Sequence, residues 1–332
     1  MPSLSAFAVL ALPLIALGAP QQGVAHRRAG KASRAAPLAL REHYAGKDIL
    51  EWDYFSEADP THGNVNYQTK QNAATKGLAF LNSDGFAVLK VDNTSVLHPG
   101  EFRDSYAHRV RISSPEKFTK GLFIADIQAM PHGPTTWPAY WSVGDNWPAN
   151  GEIDVLEGVN DATTNQMTLH TAAGCTLDNS PAALETFTGT PQGSTICESP
   201  GENNSGCGIV DSAPNAYGAD FNAIGGGIFA HLVDDSGIQI WRFPRGSVPA
   251  DITAQQADPA EWGKPAAFFG ASTCDVASHF KDHVLVFDTT LCGDLAGNVF
   301  PGGKQACEAA IADPNNYQNA EWIVNSIDVY DL

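Results

Sequence analysis

Three acidic side chains stand within six positions of the segment NGEIDVLEGVN (150–160): Glu152, Asp154 and Glu157. The residues between them are apolar, as expected for a strand that packs on a core. Like charges crowded onto one such strand cost free energy, so their presence calls for a chemical reason. Two carboxyl groups that flank a glycosidic bond can break it, one as nucleophile and the other as proton donor. The segment is therefore a candidate for acid–base catalysis on a sugar.

The spacing of the three acids predicts an irregular strand. Residues 152 and 154 of a strand point to the same face, but strict alternation would place residue 156 beside them. A one-residue β-bulge at Val155–Leu156 restores the register, so that Glu157 joins the row. Retaining enzymes hold their two carboxyls roughly 5–5.5 Å apart, which here requires a concave sheet with inward-leaning side chains. Two alternatives to catalysis are a solvated strand face and a Ca²⁺ site.

The rest of the chain predicts many short strands. Hairpins are expected where residues 77–82 and 86–92 flank a Ser-Asp-Gly turn, and where 227–233 and 237–243 flank residues 234–236. Helical periodicity is nearly absent outside 304–312, and residues 172–222 predict long loops. With 31 Gly and 21 Pro, the pattern favours an all-β sandwich or barrel in one domain, 43–332. Further strands are predicted at 108–113, 121–128, 139–143, 152–157, 166–171, 283–288 and 321–331.

The N-terminal region predicts export from the cell. The apolar stretch from Ala6 to Ala19 is short for a membrane span but has the length of a secretory signal, assigned to 1–19; a buried helix is the alternative. Residues 20–42 form a basic, Ala-rich segment that we interpret as a pro-segment or a disordered region. Glycosylation sequons at Asn93 and Asn203 agree with secretion.

The net charge limits which partners are expected, and the cysteine spacing limits which role the cysteines have. A formal net charge of −18 repels nucleic acid and anionic membranes, so neither is an expected partner, and a monomer acting on an uncharged substrate is expected. Six cysteines show no C-x-x-C pair or zinc-ligand spacing, which favours disulfides. Fifteen pairings are formally allowed. Short loops favour Cys197–Cys207 and Cys292–Cys307, which leaves Cys175–Cys274.

Three segments carry a family resemblance. WPAYW (137–141), NWPANGEIDVLEGVN (146–160) and TLHT (168–171) resemble the catalytic core of glycoside hydrolase family 16, in particular its fungal laminarinases. The similarity extends over nearly all of 43–332. It implies a β-jelly-roll of two antiparallel sheets whose concave face forms the substrate cleft.

The resemblance also implies roles for individual residues. Glu152 corresponds to the nucleophile, Glu157 to the general acid/base and Asp154 to an auxiliary carboxylate. His170 is expected near Glu157 and the sugar at the cleavage point. Three indoles are expected to stack on sugar rings, with core packing as the alternative: Trp137, Trp141 and Trp147. Three polar side chains are expected to hydrogen-bond sugar hydroxyls, with a purely structural role as the alternative: Arg111, Asn64 and Asn66.

The activity that the resemblance implies is retaining endo-hydrolysis of β-1,3 bonds, and of β-1,4 bonds next to a β-1,3 link, in laminarin and lichenan. No cofactor and no metal are predicted, although a structural Ca²⁺ would be compatible. A β-glucan transglycosylase and a non-catalytic β-glucan-binding protein are the alternatives. One departure from the family stands at Leu295 in CGDLAG, where an aromatic residue is expected; its absence would remove a stacking platform.

Overall fold

Strands dominate the part of the chain that the structure describes. The computed structural model describes residues 38–95, 108–200 and 204–332. The expected signal (1–19), the segment 20–37 and the sequon at Asn203 lie outside these residues. The strands, in chain order, are β1 Ala39–Ala45, β2 Asp53–Tyr54, β3 Asn66–Tyr67, β4 Ala79–Leu81, β5 Ala87–Lys90, β6 His108–Arg109, β7 Ile112–Ser113, β8 Gly121–Ala129, β9 Thr136–Val143, β10 Glu152–Glu157, β11 Asn165–His170, β12 Thr190–Gln192, β13 Cys207–Asp211, β14 Gly227–Asp234, β15 Gly237–Pro244, β16 Ala267–Gly270, β17 Val284–Leu291 and β18 Glu321–Asp331.

The helices are short and connect the strands. The longest one in the described part of the chain, near the C-terminus, has eight residues and confirms the helix predicted around 304–312. Within the described ranges, no helix is long and apolar enough to cross a membrane. The α-helices are α1 Lys47–Leu50, α2 Lys70–Thr75, α3 Pro181–Leu184, α4 Gly218–Ala223, α5 Ala250–Thr253, α6 Val276–His279, α7 Ala296–Val299 and α8 Gly303–Ala310.

Two antiparallel eight-stranded sheets form the body of the fold. The first has the order β16-β15-β14-β8-β18-β5-β4, with β1 also paired to β18; the second has the order β12-β13-β11-β10-β9-β17-β7-β2. Strands β3 and β6 form a small parallel pair. Buried apolar side chains from both sheets make the main core, among them Phe123 and Phe229 of the first sheet and Tyr140 and Phe287 of the second. The predicted all-β jelly-roll of two antiparallel sheets is confirmed.

Several element boundaries differ from those the sequence indicates. Strand β1 begins at Ala39, inside the predicted 20–42 segment, because its backbone pairs with the end of β18. The predicted strand 108–113 is two short strands, since β6 pairs with β3 while β7 pairs with β17. Strand β13 lies within the predicted loop region 172–222, where it pairs with β11. Its five-residue sequence, with Gly206 before it and Gly208 within it, carries little strand signal without that neighbour.

The disulfides follow the pairing favoured by loop length. Cys175–Cys274, Cys197–Cys207 and Cys292–Cys307 are all formed, and no cysteine is free. The first joins residues 99 positions apart, whereas the other two close loops of 10 and 15 positions. The predicted loop region 172–222 is therefore attached to the second sheet through Cys197–Cys207. Its Cys175 is also bonded to Cys274, which is distant in sequence.

Candidate active site

The three acids lie in one row on β10, in the middle of the second sheet. Glu152 pairs with His170 of β11, and Glu157 pairs with Gln166 of the same strand. The register slips after Asp154 against both neighbouring strands. The predicted β-bulge at Val155–Leu156 is therefore confirmed.

A buried amide completes the bulge. Asn165 accepts a 2.9 Å hydrogen bond from the Glu157 backbone N–H and donates a 3.0 Å bond to the Val155 carbonyl. A bulge leaves backbone groups without a ladder partner, and a buried group of that kind costs free energy. Asn165 satisfies two of them and so fixes the direction of Glu157. Sequence reasoning missed this residue, because nothing local links an Asn at 165 to a strand eight residues earlier.

Burial shifts the protonation of the whole row. It raises the pKa of Glu152 to about 8, and the charges of Asp154 and Glu157 add to the rise. A hydrogen bond with Trp147 and the charge of His170 act in the opposite direction. Burial, with the charge of Glu157, holds the pKa of Asp154 well above its usual range, although a hydrogen bond with Glu152 opposes the rise. The row therefore retains protons that exposed carboxyls would lose near pH 4.

Glu157 has a hydrogen-bond donor of its own. Burial raises the pKa of the Glu157 carboxyl, while the bond from Trp137 and the charge of His170 lower it. The indole Nε1 of Trp137 donates to Oε1 at 2.7 Å. This contact brings a predicted stacking residue directly to a predicted catalytic one.

His170 lies between the row and a disulfide-closed loop. Its Nε2 is 3.3 Å from Oδ2 of Asp154, and its Nδ1 is 2.9 Å from Oγ of Ser199. His170 was expected near Glu157; the pairing of β10 with β11 places it directly opposite Glu152, with its nearest acid contact at Asp154. Ser199 was not predicted, since no pattern around it indicates a role.

A second polar group stands beside the row on β17. Asp288 accepts hydrogen bonds of 3.1 Å from Trp141 Nε1 and from the Tyr67 hydroxyl. Burial raises the pKa of Asp288 to about 6, against the opposing charge of Arg111. The Arg111 guanidinium lies 4.9 Å from the centre of the Trp141 ring. Asp288 was missed, although residues 283–288 were predicted as a strand.

Asn64 and Asn66 lie farther from the acids along the chain. The backbone N–H of Asn64 bonds the Leu291 carbonyl at 3.0 Å, and the Asn66 side chain accepts from Gln68 at 2.9 Å. Among the described residues, no hydrogen bond joins either Asn to the acid row. Trp147 is 40% exposed and Leu295 is 36% exposed, so both can meet a ligand in solvent.

The site brings together the kinds of groups that proton transfer and nucleophilic attack require. Its half-buried Glu152 and Glu157 each have a donor that stabilises the ionised form, and indole faces lie next to them. Glu152, Asp154 and His170 also place potential metal-ligand atoms within 4.8 Å of one another. The described part of the chain has one other group of potential metal ligands, and that group includes two disulfide-bonded cysteines.

Comparison with known proteins places this geometry in context. The XgeA-like, catalytic GH16 domain family matches residues 52–330. A probable glycosidase of Schizosaccharomyces pombe is 35% identical over 306 residues, which cover 90% of this chain and 70% of the relative. A probable endo-1,3(4)-β-glucanase of Aspergillus clavatus is 38% identical over 309 residues, covering 88% of this chain and 46% of the relative. The chain thus spans about half the length of that relative.

Two solved structures have the same fold over most of the chain. Laminarinase 16A from Phanerochaete chrysosporium, with 6-O-glucosyl-laminaritriose in its donor and acceptor sites, superposes with a TM-score of 0.81 at 35% identity. An elongating family 16 β-1,3-glucosyltransferase superposes with a TM-score of 0.80 at 36% identity. Each alignment covers 89% of this chain and 100% of the other.

Proposed function

Because the chain belongs to glycoside hydrolase family 16, among the XgeA-like catalytic domains, we propose that it is an endo-acting, retaining β-glucan hydrolase. Its substrates are β-glucans such as laminarin and lichenan, in which it cleaves β-1,3 bonds and β-1,4 bonds adjacent to a β-1,3 link. The relatives named endo-1,3(4)-β-glucanase support this substrate class. No cofactor takes part.

The bulged row on β10 is the observation that carries the proposal. It places Glu152 and Glu157 on one face, at half-buried positions, with Asp154 buried between them. A solvated strand face, the simplest alternative, would leave the acids exposed and their pKa values near 4. Here burial raises the pKa of all three. Perturbed acids grouped on one face are typical of catalytic sites.

In the proposed mechanism Glu152 is the nucleophile and Glu157 the general acid/base. A Glu152 oxygen forms a bond to the anomeric carbon while the bond from that carbon to the leaving oxygen breaks, and Glu157 gives its proton to that oxygen. Water then attacks the glycosyl-enzyme, gives a proton back to Glu157 and releases Glu152. The hydrogen bond with Glu152 favours ionised Asp154, whereas the bond with Trp147 and the charge of His170 favour the ionised nucleophile Glu152.

Substrate contacts are assigned by position. Trp137, Trp141 and Trp147 are proposed to stack on sugar rings, whose C–H faces pack on indoles. His170 is proposed to contact the sugar at the cleavage point. Arg111 is proposed to act on the substrate indirectly, by packing against the Trp141 ring. Asn64 and Asn66 are proposed as hydroxyl partners farther along the cleft, where Asn64 is bonded to the end of β17.

Transglycosylation is the second candidate function. The similarity to an elongating β-1,3-glucosyltransferase favours it, because the two reactions share the glycosyl-enzyme and differ only in the acceptor. A non-catalytic β-glucan-binding protein is less favoured, since it would not need both glutamates. We place the protein outside the cell, as a monomer, on the basis of its disulfides, the signal-like N-terminus and the polymeric substrate.

A product profile tests the proposal. Purified protein is incubated with laminarin, lichenan, carboxymethylcellulose and xylan, with Glu152→Gln as the inactive control, and products are sized over time. Early release of mixed oligosaccharides from laminarin and lichenan is expected. Turnover of carboxymethylcellulose or xylan above that of laminarin would contradict it. In a further incubation with an oligosaccharide at high concentration, products longer than that oligosaccharide would favour transglycosylation.

A further inference from the structure

The loop closed by the Cys197–Cys207 disulfide is attached to the end of β11 next to His170. Thr171 donates its backbone N–H to the Cys197 carbonyl at 2.9 Å, and Ser199 donates its own to the Thr171 carbonyl at 3.0 Å. At the other end of the loop, Cys207 pairs with Leu169. Both ends of the loop are therefore fixed to the residues that flank His170.

Two residues of this loop meet the imidazole ring. Ser199, whose side chain is buried, lies with its Oγ 2.9 Å from Nδ1 of His170. A Cβ atom at Gly206 would lie 3.0 Å from Nδ1 and Cε1 of the ring and 2.4 Å from the Leu169 carbonyl oxygen. Gly206 also has a φ of +60°, which favours glycine. The loop therefore packs closely against one edge of the ring.

The hydroxyl of Ser199 has only one proton to give. It can give that proton to the Cys197 carbonyl oxygen, which lies 3.4 Å away. Its oxygen then acts as the acceptor toward His170, so Nδ1 carries the hydrogen of their bond. When one imidazole nitrogen is fixed in this way, the neutral ring presents the other as a lone pair. Here that other nitrogen is Nε2, which is 3.3 Å from Asp154 Oδ2; the pKa of this buried carboxyl is held well above its usual range, so a protonated Asp154 can donate to the lone pair.

We propose that Ser199 is a positioning residue for the acid row: it fixes His170 as the Nδ1–H tautomer and keeps Nε2 directed at Asp154. This role deepens the proposed function and rests on it, although the tautomer itself does not depend on any activity. Ser199 touches no reacting atom. It acts only through His170.

The orientation of the His170 ring affects the protonation of the acids because charged groups surround it. On one side the ring faces Glu152, Asp154 and Glu157 of β10; on the loop side Ser199 is uncharged and Glu198 is exposed. In the protonated ring both nitrogens carry hydrogen, so Nδ1–H still donates to Ser199 while Nε2–H faces Asp154, and this positive charge lowers the pKa of both Glu152 and Glu157. A ring released from Ser199 can turn away from the row. Both glutamate pKa values then rise, whichever glutamate is the nucleophile.

The first test is the tautomer. Protein labelled with ¹⁵N-histidine is examined by two-bond ¹H–¹⁵N correlation, and the His170 signals are identified by their loss in His170→Gln. We expect the Nδ1–H form in the wild type and in Ser199→Thr, which keeps the hydroxyl, and a shift toward Nε2–H in Ser199→Ala. An Nε2–H form in the wild type, or an unchanged tautomer in Ser199→Ala, would overturn the proposal.

The second test is the pH–rate profile on laminarin. For Ser199→Ala we expect both limbs to move up by about half a pH unit or more, and kcat to fall on the order of 10-fold with KM nearly unchanged. Ser199→Thr should recover most of the loss. Ser194→Ala is the matched control, because Ser194 is exposed and bonds only Ile196. A Ser199→Ala variant with a lower melting temperature but an unchanged pH–rate profile would show a purely structural role and refute the proposal. Wild-type protein that is inactive on every glucan would instead refute the proposed function, and the tautomer result would still stand.

Discussion

The indole of Trp137 donates a 2.7 Å hydrogen bond to Oε1 of Glu157 across the pairing of β9 with β10. An indole N–H is a donor only, so it stabilises the ionised carboxyl more than the protonated one. The bond therefore opposes the rise that burial causes in the pKa of Glu157. Trp137 combines this electrostatic effect with an aromatic face that can stack on a sugar.

Trp137→Phe should separate these two effects. Phenylalanine keeps a stacking face but has no N–H, so the pKa of Glu157 should rise by about one unit. The measurement is a ¹³C NMR titration of glutamate carboxyls, with Glu157 assigned by its loss in Glu157→Gln. Trp141→Phe is the control, because its indole bonds Asp288 instead. An unchanged or lower pKa of Glu157 in Trp137→Phe would show that the bond does not act as described.

Much of this site could be predicted from the sequence because its pattern is local. Glu152, Asp154 and Glu157 lie on one strand, and the odd third step between them has one simple explanation, the bulge that the structure contains. The all-β class follows from strand patterns and turn signals of the same short range, whereas the jelly-roll of two antiparallel sheets was implied by the family resemblance. The disulfide pairing also followed from local loop lengths.

The residues that were missed are those whose contacts are distant in sequence. Asp288 meets Tyr67 across 221 positions, and Ser199 meets His170 across 29. An Asp at the end of a strand, or a Ser in a loop, has no pattern of its own until the fold supplies its partner. Strand β13 was missed for the same reason, since its pairing with β11 depends on neighbours that only the folded sheet supplies.

The acid row should make the protein less stable at alkaline pH. The pKa of Glu152 is about 8 in the folded protein, above the value near 4.3 expected in the unfolded chain. The folded state then holds more protons between these values, so this group's contribution to stability is full below about pH 4 and is lost as the pH rises through 8. Glu152→Gln, which cannot ionise, should flatten the fall in melting temperature between pH 5 and 9. An equal fall in wild type and variant would contradict the assigned shift.

Buried histidines should set the acid limit of stability. Burial, with the charge of His283, lowers the pKa of His231 to about 3, below the value near 6.5 expected in the unfolded chain. The unfolded state therefore gains protons first as the pH falls through 6.5, and the stability from a neutral His231 is lost down to about pH 3.

His231→Phe tests that limit. The His231 ring stacks on Phe123 at 4.6 Å, and its Nδ1 has no hydrogen-bond partner in the described structure, so a phenyl ring should fit. The acid midpoint of unfolding, followed by circular dichroism, should move to lower pH. His62→Gln serves as the control, because the His62 side chain is 73% exposed. A midpoint that moves equally in both variants would assign acid unfolding to other groups.

The disulfides should leave no reactive thiol in the folded or denatured protein. Titration under denaturing, non-reducing conditions should find fewer than one thiol per chain, since all six cysteines are paired. Removing the Cys175–Cys274 bridge with a double Cys→Ser variant should lower the free energy of unfolding by about 2–5 kcal/mol, because it joins residues 99 positions apart. Two or more thiols per chain, or a variant as stable as the wild type, would contradict this.

The two glutamates should respond differently to replacement. Glu152→Ala and Glu157→Ala should each reduce polysaccharide hydrolysis by more than ~100-fold, the low end for a positioned proton donor. Glu157→Ala keeps the nucleophile, so it should retain most activity on aryl β-glucosides whose leaving groups need no proton. Matched control variants are Glu51→Ala and Glu321→Ala, whose glutamates lie outside the acid row.

Azide separates the roles by stereochemistry. In Glu152→Ala the anion can occupy the space of the lost carboxylate and attack directly, which inverts the anomeric carbon and gives an α-glycosyl azide. In Glu157→Ala it attacks the covalent intermediate formed by Glu152, and two inversions give a β-product. The anomers are assigned by NMR from the coupling at the anomeric proton. A β-azide from Glu152→Ala together with an α-azide from Glu157→Ala would reverse the assignment, and wild-type protein that first releases α-anomers would exclude retention.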